Sequence, residues 1–149
     1  MSTVTRKEFL QTAGVLLAGL LTNPSFAFRK NKLLLSFSTL GCPDWTFQQI
    51  TDFAVQHGYS GLELRGLQRQ MDLTQCPEFA TEEARKKTMA LMKASGLRFV
   101  NLGSSANLHL SEGEEREKNL AGARQFIDLA QQLNCPYVRV FPNLFPKER

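Results

Sequence analysis

The feature that most constrains the fold is the octapeptide YSGLELRG at residues 59–66. Its apolar run carries a carboxylate and a guanidinium at alternate positions, which is typical of a β-strand because successive side chains of a strand point to opposite faces. Leu62 and Leu64 therefore share one face, and Glu63 and Arg65 share the other. An internal strand of an open parallel sheet is normally apolar on both faces. The charged face of this strand therefore indicates a partly polar cavity beside it.

Three more segments have the same strand-like character, and helical segments separate them. The four predicted strands are residues 33–38, 61–65, 97–102 and 137–141. The three predicted helices are residues 44–56, 81–95 and 111–133, each with apolar residues at helical spacing. Each helix is predicted to begin at a capping side chain, namely Asp44, Thr81 and Ser111. The loop at residues 66–80 is long enough to be functional.

Strands that alternate with helices predict parallel strands joined by right-handed crossovers. Four βα units could form half of a closed (β/α)8 TIM barrel, which takes about 250 residues, or an open sheet of the flavodoxin type. Inward polar residues favour the barrel, because an open sheet would leave them unpaired under a helix. These residues are Ser36, Ser38, Glu63, Arg65, Asn101 and Arg139. We therefore predict an α/β fold in which residues 28–149 form about four units of a TIM barrel, its N-terminal half.

Residues 1–27 have the three-part layout of an export signal. Arg6 and Lys7 precede Phe9, residues 11–21 are mostly apolar, and residues 25–27 form a small-x-small cleavage pattern. The apolar stretch is shorter than the roughly 20 residues of a spanning helix. The segment TRKEFLQ resembles a twin-arginine signal with Lys7 in place of the second arginine, and a Sec-type signal or an uncleaved anchor is the alternative. We expect an exported, periplasmic protein that is recognised by the export machinery.

Charge and cysteine content argue against several kinds of site. The formal net charge is +4, and the charges are scattered, with no basic stripe and no interleaved aromatic residues, so nucleic-acid binding is not expected. Cys42, Cys76 and Cys135 show neither CxxC nor Cys/His ligand spacing. A disulfide framework or a structural zinc site is therefore not expected, and we predict that all three cysteines are packing residues.

Charged and polar residues inside the apolar strands are the best candidates for chemistry. Glu63 and Arg139 should face the same cavity, where the pair could orient a polyol or carbonyl oxygen by bidentate hydrogen bonding. The alternative is an internal ion pair that only holds the fold together. Asn101 is the inward polar residue of the third strand. Arg65, at the end of its strand, could meet an anionic or hydroxyl-rich substrate, or it could be a solvated rim charge.

Residues in the loops at the same edge of the sheet are further candidates. Gly103, Ser104 and Ser105 follow the third strand and supply hydroxyls and backbone N–H groups, as an ordinary turn also would. His109 could be a ligand or a base, although a lone loop histidine is more often a surface residue. Trp45 could stack on a sugar ring or simply pack, and His57 suits the C-terminal end of its helix as a cation.

Four segments, taken together, carry a family resemblance. They are STLGCP at residues 38–43, GYSGLELRG at 58–66, LGSS at 102–105 and YVRVF at 137–141. Over roughly residues 32–145 the chain resembles the first half of the xylose-isomerase-like barrel family, the sugar phosphate isomerases and epimerases. The combination is more specific than any one segment.

The resemblance implies an isomerase or epimerase that acts on a hydroxy-carbonyl sugar or polyol. In that family a divalent metal such as Mn, Mg, Zn or Co polarises the substrate, and glutamates exchange the proton. The metal ligands usually come from the fifth to eighth strands, so this chain is expected to hold none and to be inactive alone. Glu63 is the catalytic residue that the resemblance carries over. The expected substrate-binding residues are Arg65, Asn101, Ser104, His109 and Arg139.

Other functions remain open at this point. The same fold serves abasic-site endonucleases, although the predicted export and the scattered charge count against that activity. A non-catalytic exported sugar-binding protein would need no metal. A half-barrel could also pair with a second copy and bury its open sheet edges, which would give a homo-oligomer.

Overall fold

The computed structural model describes residues 5–12 and 33–142. Contacts divide the chain into two units, Met1–Leu33 and Leu34–Arg149. In the first unit residues 6–12 are helical, and the Glu8 carboxylate accepts hydrogen bonds from the backbone and hydroxyl of Thr5, both at 2.8 Å. Most of the predicted export signal, residues 1–27, lies outside the described residues, and its role stays a prediction.

Within residues 33–142 the second unit is a parallel sheet whose strand order, β1-β2-β3-β4, follows the chain. Its strands are β1 (Ser36–Ser38), β2 (Gly61–Leu64), β3 (Arg98–Asn107) and β4 (Val138–Phe141). Its helices are α1 (Phe47–Gln56), α2 (Glu82–Ala94) and α3 (Glu114–Gln132). A helix therefore connects each strand to its parallel neighbour, which confirms the predicted α/β class. In the described ranges no helix combines the length and apolar character that a membrane crossing needs.

The first helix begins later than predicted. Its cap is Thr46, whose hydroxyl accepts a hydrogen bond from the Gln49 backbone at 3.2 Å, while the Gln49 side chain accepts one from the Thr46 backbone at 2.9 Å. This reciprocal pair is a capping box. The predicted cap at Asp44 is wrong, because that carboxylate instead pairs at 2.5 Å with Nε of Arg69, which lies in the loop after β2.

The second helix begins as predicted and the third does not. Thr81 caps α2, and its hydroxyl accepts a hydrogen bond from the Ala84 backbone at 3.1 Å. α3 begins after Gly113, which has a φ of 141° and offers no side-chain cap. The predicted cap at Ser111 is wrong because glycine, free to adopt this backbone conformation, lets the chain turn into the helix closer to Glu114.

The hydrophobic core lies between one face of the sheet and the helices. From the strands, Leu62, Leu64 and Leu102 are fully buried. The helices contribute the buried residues Phe47, Ile50, Ala54, Met92, Phe126, Leu129 and Ala130. The loop at residues 66–80 also enters the core through Leu67, Leu73, Cys76 and Phe79. Much of this long loop is therefore structural.

The third strand is longer and less regular than predicted. It extends to Asn107, beyond its predicted end at residue 102. Its register shifts once against β2 and once against β4. The first shift brings Glu63 of β2 opposite Asn101. The second lies after Gly103, which is opposite Arg139 of β4. Such bulges re-aim side chains at the ends of strands.

Candidate functional site

Glu63 of β2 is the centre of a polar cluster on the inner face of the sheet, the face opposite the helical core. The Asn101 side-chain amide donates a hydrogen bond to Glu63 Oε1 at 3.0 Å. Arg139 Nε lies 3.9 Å from the same oxygen, and the side chains of Arg139 and Glu63 are 36% and 30% exposed. The structure therefore brings three predicted site residues together while leaving the carboxylate accessible.

The register of the strands explains why these side chains meet. Paired residues of neighbouring parallel strands point to the same face of a sheet. Glu63 pairs with Asn101, and Gly103 pairs with Arg139. Because Asn101 and Gly103 are two residues apart on β3, their partners lie close together along the inner face.

Arg65 joins the cluster from the end of β2. Its Nη2 donates a hydrogen bond to Ser105 Oγ at 3.2 Å. The backbone of Arg65 is fixed by Thr39, a buried residue that follows β1. The Thr39 hydroxyl accepts a hydrogen bond from the Arg65 N–H at 3.0 Å and donates one to the Gly66 carbonyl at 2.6 Å. A single buried hydroxyl thus ties the first βα connection to the second and fixes where the Arg65 side chain starts.

Gly103 and Phe141 shape the space that the two arginines occupy. A Cβ at Gly103 would stand 2.5 Å from Arg65 Cδ and 2.9 Å from Arg139 Nη2. Only glycine leaves room for both side chains against β3. The Phe141 ring lies 5.7 Å from Arg65 Cζ and 4.4 Å from Arg139 Cζ, within the range of cation–π attraction. We use the name inner-face cluster for Glu63, Arg65, Asn101, Gly103, Ser105, Arg139 and Phe141.

The inner-face cluster carries two guanidinium groups and one carboxylate. Burial lowers the pKa of Arg65, the nearby charge of Arg139 lowers this pKa further, and Glu63 acts in the opposite direction. Like charges in contact disfavour each other's ionised form. Burial is thus the main cause of the lowered Arg65 pKa, and the charge of Arg139 contributes more to this pKa than the opposing charge of Glu63.

Two predicted binding residues lie apart from the inner-face cluster. Ser104 is buried, and its hydroxyl donates to the Arg139 carbonyl at 2.7 Å and accepts from the Ala106 N–H at 3.3 Å. These bonds hold the irregular segment of β3 against β4. His109 is partly buried in the loop after β3, and among the described residues its Nδ1 has no hydrogen-bond partner. The hydroxyl that reaches the cluster is that of Ser105.

The two remaining aromatic candidates take part in packing. The Trp45 ring lies 5.2 Å from the Phe53 ring, and the His57 ring lies 4.2 Å from the same phenylalanine. Both distances join ring centroids. Trp45 therefore packs against α1, in agreement with the packing alternative.

Sequence reasoning did not assign four residues of this arrangement to the site, namely Thr39, Gly103, Ser105 and Phe141. Phe141 and Ser105 could have been found, because each lies two residues beyond an inward position, Arg139 and Gly103, and the strand alternation places them on the same face. The role of Gly103 could not be predicted, because it depends on the side chains of Arg65 and Arg139 that pack against this residue. Thr39 gives no signal, since a hydroxyl after a strand is typical of any turn.

A groove of about 510 Å³ opens next to the inner-face cluster, between the loop after β2, the end of β3 and α3. Ser105, which contacts Arg65, also lines this groove together with Met71, Asn119 and Phe126. A volume of this size suits a small molecule. A small ligand in this groove would contact the inner-face cluster at Ser105.

The inner-face cluster does not fit the divalent metal that the resemblance implies. Nowhere in the described ranges do three His, Cys, Asp or Glu side chains come close enough to hold a metal ion. The Glu63 oxygen faces an amide donor and a guanidinium, whereas a hard cation needs several converging oxygen ligands. We assign no residue of the cluster to a metal.

Comparisons with known proteins place this geometry in context. A family model described as a xylose isomerase-like TIM barrel matches residues 51–149. No curated protein matches the chain significantly.

Two solved structures resemble the chain at low sequence identity. The probable 3-DHS dehydratase AsbF of Bacillus anthracis, involved in petrobactin synthesis, matches with a TM-score of 0.56 at 20% identity, covering 73% of this chain and 38% of its own. Protein SMc04130 of Sinorhizobium meliloti 1021 matches with a TM-score of 0.53 at 15% identity, covering 77% of this chain and 38% of its own. At these identities the likeness shows the fold alone, and the chain spans well under half the length of either protein.

Proposed function

The chain belongs to the xylose isomerase-like TIM barrel family, and we propose that it contributes to a sugar isomerase or epimerase that acts on a small hydroxy-carbonyl sugar or polyol. The observation that carries the proposal is the inner-face cluster around Glu63. Carboxylate, amide and guanidinium groups converge there, near the carboxyl ends of parallel strands, where the enzymes of this fold keep their active sites. Because the chain spans 38% of each structural neighbour, the proposal concerns the whole protein.

The chemistry assigned to Glu63 is proton transfer beside a carbonyl group. Isomerisation and epimerisation of a hydroxy-carbonyl compound both begin when a base removes the proton from the carbon next to the carbonyl. In an isomerisation, Glu63 takes this proton and returns it to the former carbonyl carbon, while the proton of the neighbouring hydroxyl moves to the former carbonyl oxygen. An epimerisation would need a proton donor on the opposite face of the carbon, and we assign that role to no residue of the cluster. Asn101 and Arg139 hold the carboxylate in place, and guanidinium donors stabilise the negative charge that develops on the carbonyl oxygen.

Two properties of relatives bear on this proposal. The family resemblance implies a divalent metal (Mn, Mg, Zn or Co), and since the inner-face cluster does not fit one, no step is routed through it. One structural neighbour is described as a probable 3-DHS dehydratase. Dehydration of a hydroxy-carbonyl compound can also begin with loss of the proton beside the carbonyl, so the same carboxylate would serve that reaction.

Sugar binding without catalysis is the second candidate. The contacts of Glu63 favour it, because the groups around the carboxylate are an amide and a guanidinium. Such groups bind hydroxyl and carbonyl oxygens well, and neither is a second proton-transfer group. A proton-exchange measurement separates the two candidates.

The test uses the whole natural gene product with a panel of ketoses and polyols in deuterated water. We expect deuterium to enter the carbon beside the carbonyl, and we expect Glu63→Gln to slow this exchange by about 10²- to 10⁴-fold, the usual contribution of a general base. Mass spectrometry of the recovered sugar measures both deuterium uptake and loss of water.

The matched control is Glu83→Gln, which removes the same charge from an exposed position on α2. Its exchange rate should equal that of the wild type. Exchange that persists in Glu63→Gln would remove Glu63 from the mechanism. Tight sugar binding without any exchange would instead support the non-catalytic candidate.

A further inference from the structure

The inner-face cluster holds more positive charge than its carboxylate can neutralise. Arg65 and Arg139 both pack against Phe141 and both lie over Gly103. Glu63 faces Arg139 at 3.9 Å and accepts a hydrogen bond from Asn101. One carboxylate therefore serves two guanidinium groups, which leaves one positive charge in excess on a partly buried surface.

Both arginines of the cluster have a buried nitrogen without a hydrogen-bond partner among the described residues. Arg65 Nη1 and Arg139 Nε are buried and have no hydrogen-bond partner among the described residues. Leaving such a charged donor buried and unpaired is costly. The Ser105 hydroxyl accepts a bond from Arg65 Nη2 at 3.2 Å, and its own hydrogen is still available to donate. The described residues therefore leave donors of Arg65 and of Ser105, which contact each other, free to bind an acceptor.

The surroundings favour an oxygen anion as that acceptor. A planar guanidinium matches the geometry of a carboxylate or phosphate and can donate two parallel hydrogen bonds to it. The Phe141 ring restricts the motion of both guanidinium groups, so less side-chain entropy remains to be lost on binding. A small molecule in the adjoining groove would contact Ser105, which lines the groove and accepts a hydrogen bond from Arg65.

We propose that Arg65 and Arg139, with the Ser105 hydroxyl, form a subsite for an oxyanion, either a phosphate ester or a carboxylate, on the substrate. This inference rests on the proposed function for the rest of the substrate, the hydroxy-carbonyl part that lies beside Glu63. It narrows the substrate class from neutral sugars and polyols to charged ones.

The experiment compares matched ligands that differ in the anionic group. Isothermal titration of the whole natural protein at low salt uses D-ribulose against D-ribulose 5-phosphate for the phosphate, and D-glucitol against D-gluconate for the carboxylate. We expect the charged member of one pair to bind about tenfold to hundredfold more tightly, as charged hydrogen bonds allow, and this preference to weaken as salt is added. The pair that shows the preference identifies the anion.

Substitutions connect the preference to the two arginines. Arg65→Gln and Arg139→Gln should each reduce it to less than about threefold, and Arg139→Lys, which keeps the charge without the planar fork, should retain part of it. The matched control is Arg98→Gln, an exposed arginine at the start of β3, which should leave the preference unchanged. Circular dichroism checks that each variant is folded.

The outcomes separate this inference from the proposed function. An anion preference without proton exchange would keep the subsite and reject the isomerase proposal. Proton exchange on neutral sugars without any anion preference would support the isomerase proposal and reject the subsite. Absence of preference in both pairs at low salt would overturn the subsite, and would indicate that a carboxylate elsewhere in the whole protein neutralises the second arginine.

Discussion

Gly103 determines how closely the two arginines of the inner-face cluster approach the sheet. We predict that Gly103→Ala destabilises the protein by about 1–3 kcal/mol, the usual cost of overpacking, because its Cβ would stand 2.5 Å from Arg65 Cδ. The change should also weaken oxyanion binding, since both guanidinium groups must move. Urea denaturation measures the stability, and titration measures the binding.

Gly122 offers the matched control for this substitution. It lies inside α3, and a Cβ there would contact nothing within 4 Å. Gly122→Ala should therefore raise stability by up to about 1 kcal/mol through helix propensity. If the two variants shifted the urea midpoint in the same direction, the steric role of Gly103 would be refuted.

The alternation of side chains predicted much of the candidate site, and a bulge limited the prediction. Glu63, Asn101 and Arg139 were placed on one face by the two-residue period of strands, and the structure brings them together. Ser104 was also proposed for the site, but it is buried among backbone groups. The sequence 102–107 gives no sign that the register shifts there, so the exchange of roles between Ser104 and Ser105 needed coordinates.

At the scale of the elements, the caps of the helices provide a direct comparison. Thr81→Ala should cost about 1 kcal/mol, because the hydroxyl that caps α2 is lost. Ser111→Ala should cost less than about 0.5 kcal/mol, because α3 begins after Gly113 without a side-chain cap. Chemical denaturation of the two variants checks both values. An equal loss in both would mean that Ser111 caps α3 in solution.

Whether each element exists was predictable, and where it begins was often not. The spacing of apolar residues predicts three helices and four strands because burial of one face is what stabilises them. The residue at which each helix begins depends on which nearby polar side chain accepts a hydrogen bond from the free backbone N–H groups of the first turn. Asp44 has the chemistry of a cap, yet its carboxylate is engaged by Arg69, a residue in the next loop that local sequence rules do not consider.

At the scale of the whole molecule, the burial of Cys76 should make the free energy of unfolding depend on pH. Burial raises the pKa of Cys76 to about 11, with smaller contributions from the charges of Glu78 and Asp72. The folded state therefore keeps a proton that the unfolded chain releases near its ordinary pKa of 9.0. Stability should accordingly be full below about pH 9 and fall as the pH rises toward 11, with a slope of at most about 1.4 kcal/mol per pH unit.

Denaturation between pH 8 and 11 measures this slope, and Cys76→Ala should flatten it. If the pH dependence of the unfolding free energy were unchanged in Cys76→Ala, the loss of stability would belong to other groups.

In the native protein a thiol reagent should modify Cys42, which is partly exposed, well before Cys76 and Cys135, which are buried. Fast modification of all three would contradict the packing role of the buried pair.

The barrel class was predictable because the polar inward residues of four strands favour a barrel over a sheet covered on both faces. The family match over residues 51–149 and the two structural neighbours agree with that prediction. The proposed charge of the substrate could not be predicted from the sequence. That proposal depends on the balance between Glu63, Arg65 and Arg139, which becomes visible only when the side chains are placed together.

The agreement between strand order and chain order bears on how the protein is synthesised. In the part of the chain that the structure describes, each strand after β1 pairs with the strand made just before it, so each new βα unit leaves the ribosome when its partner edge already exists. Chains are extended at roughly 5–20 residues per second, slowly enough for a helix and a strand to settle between successive units. Translation can therefore set the order of assembly, from the amino end onward.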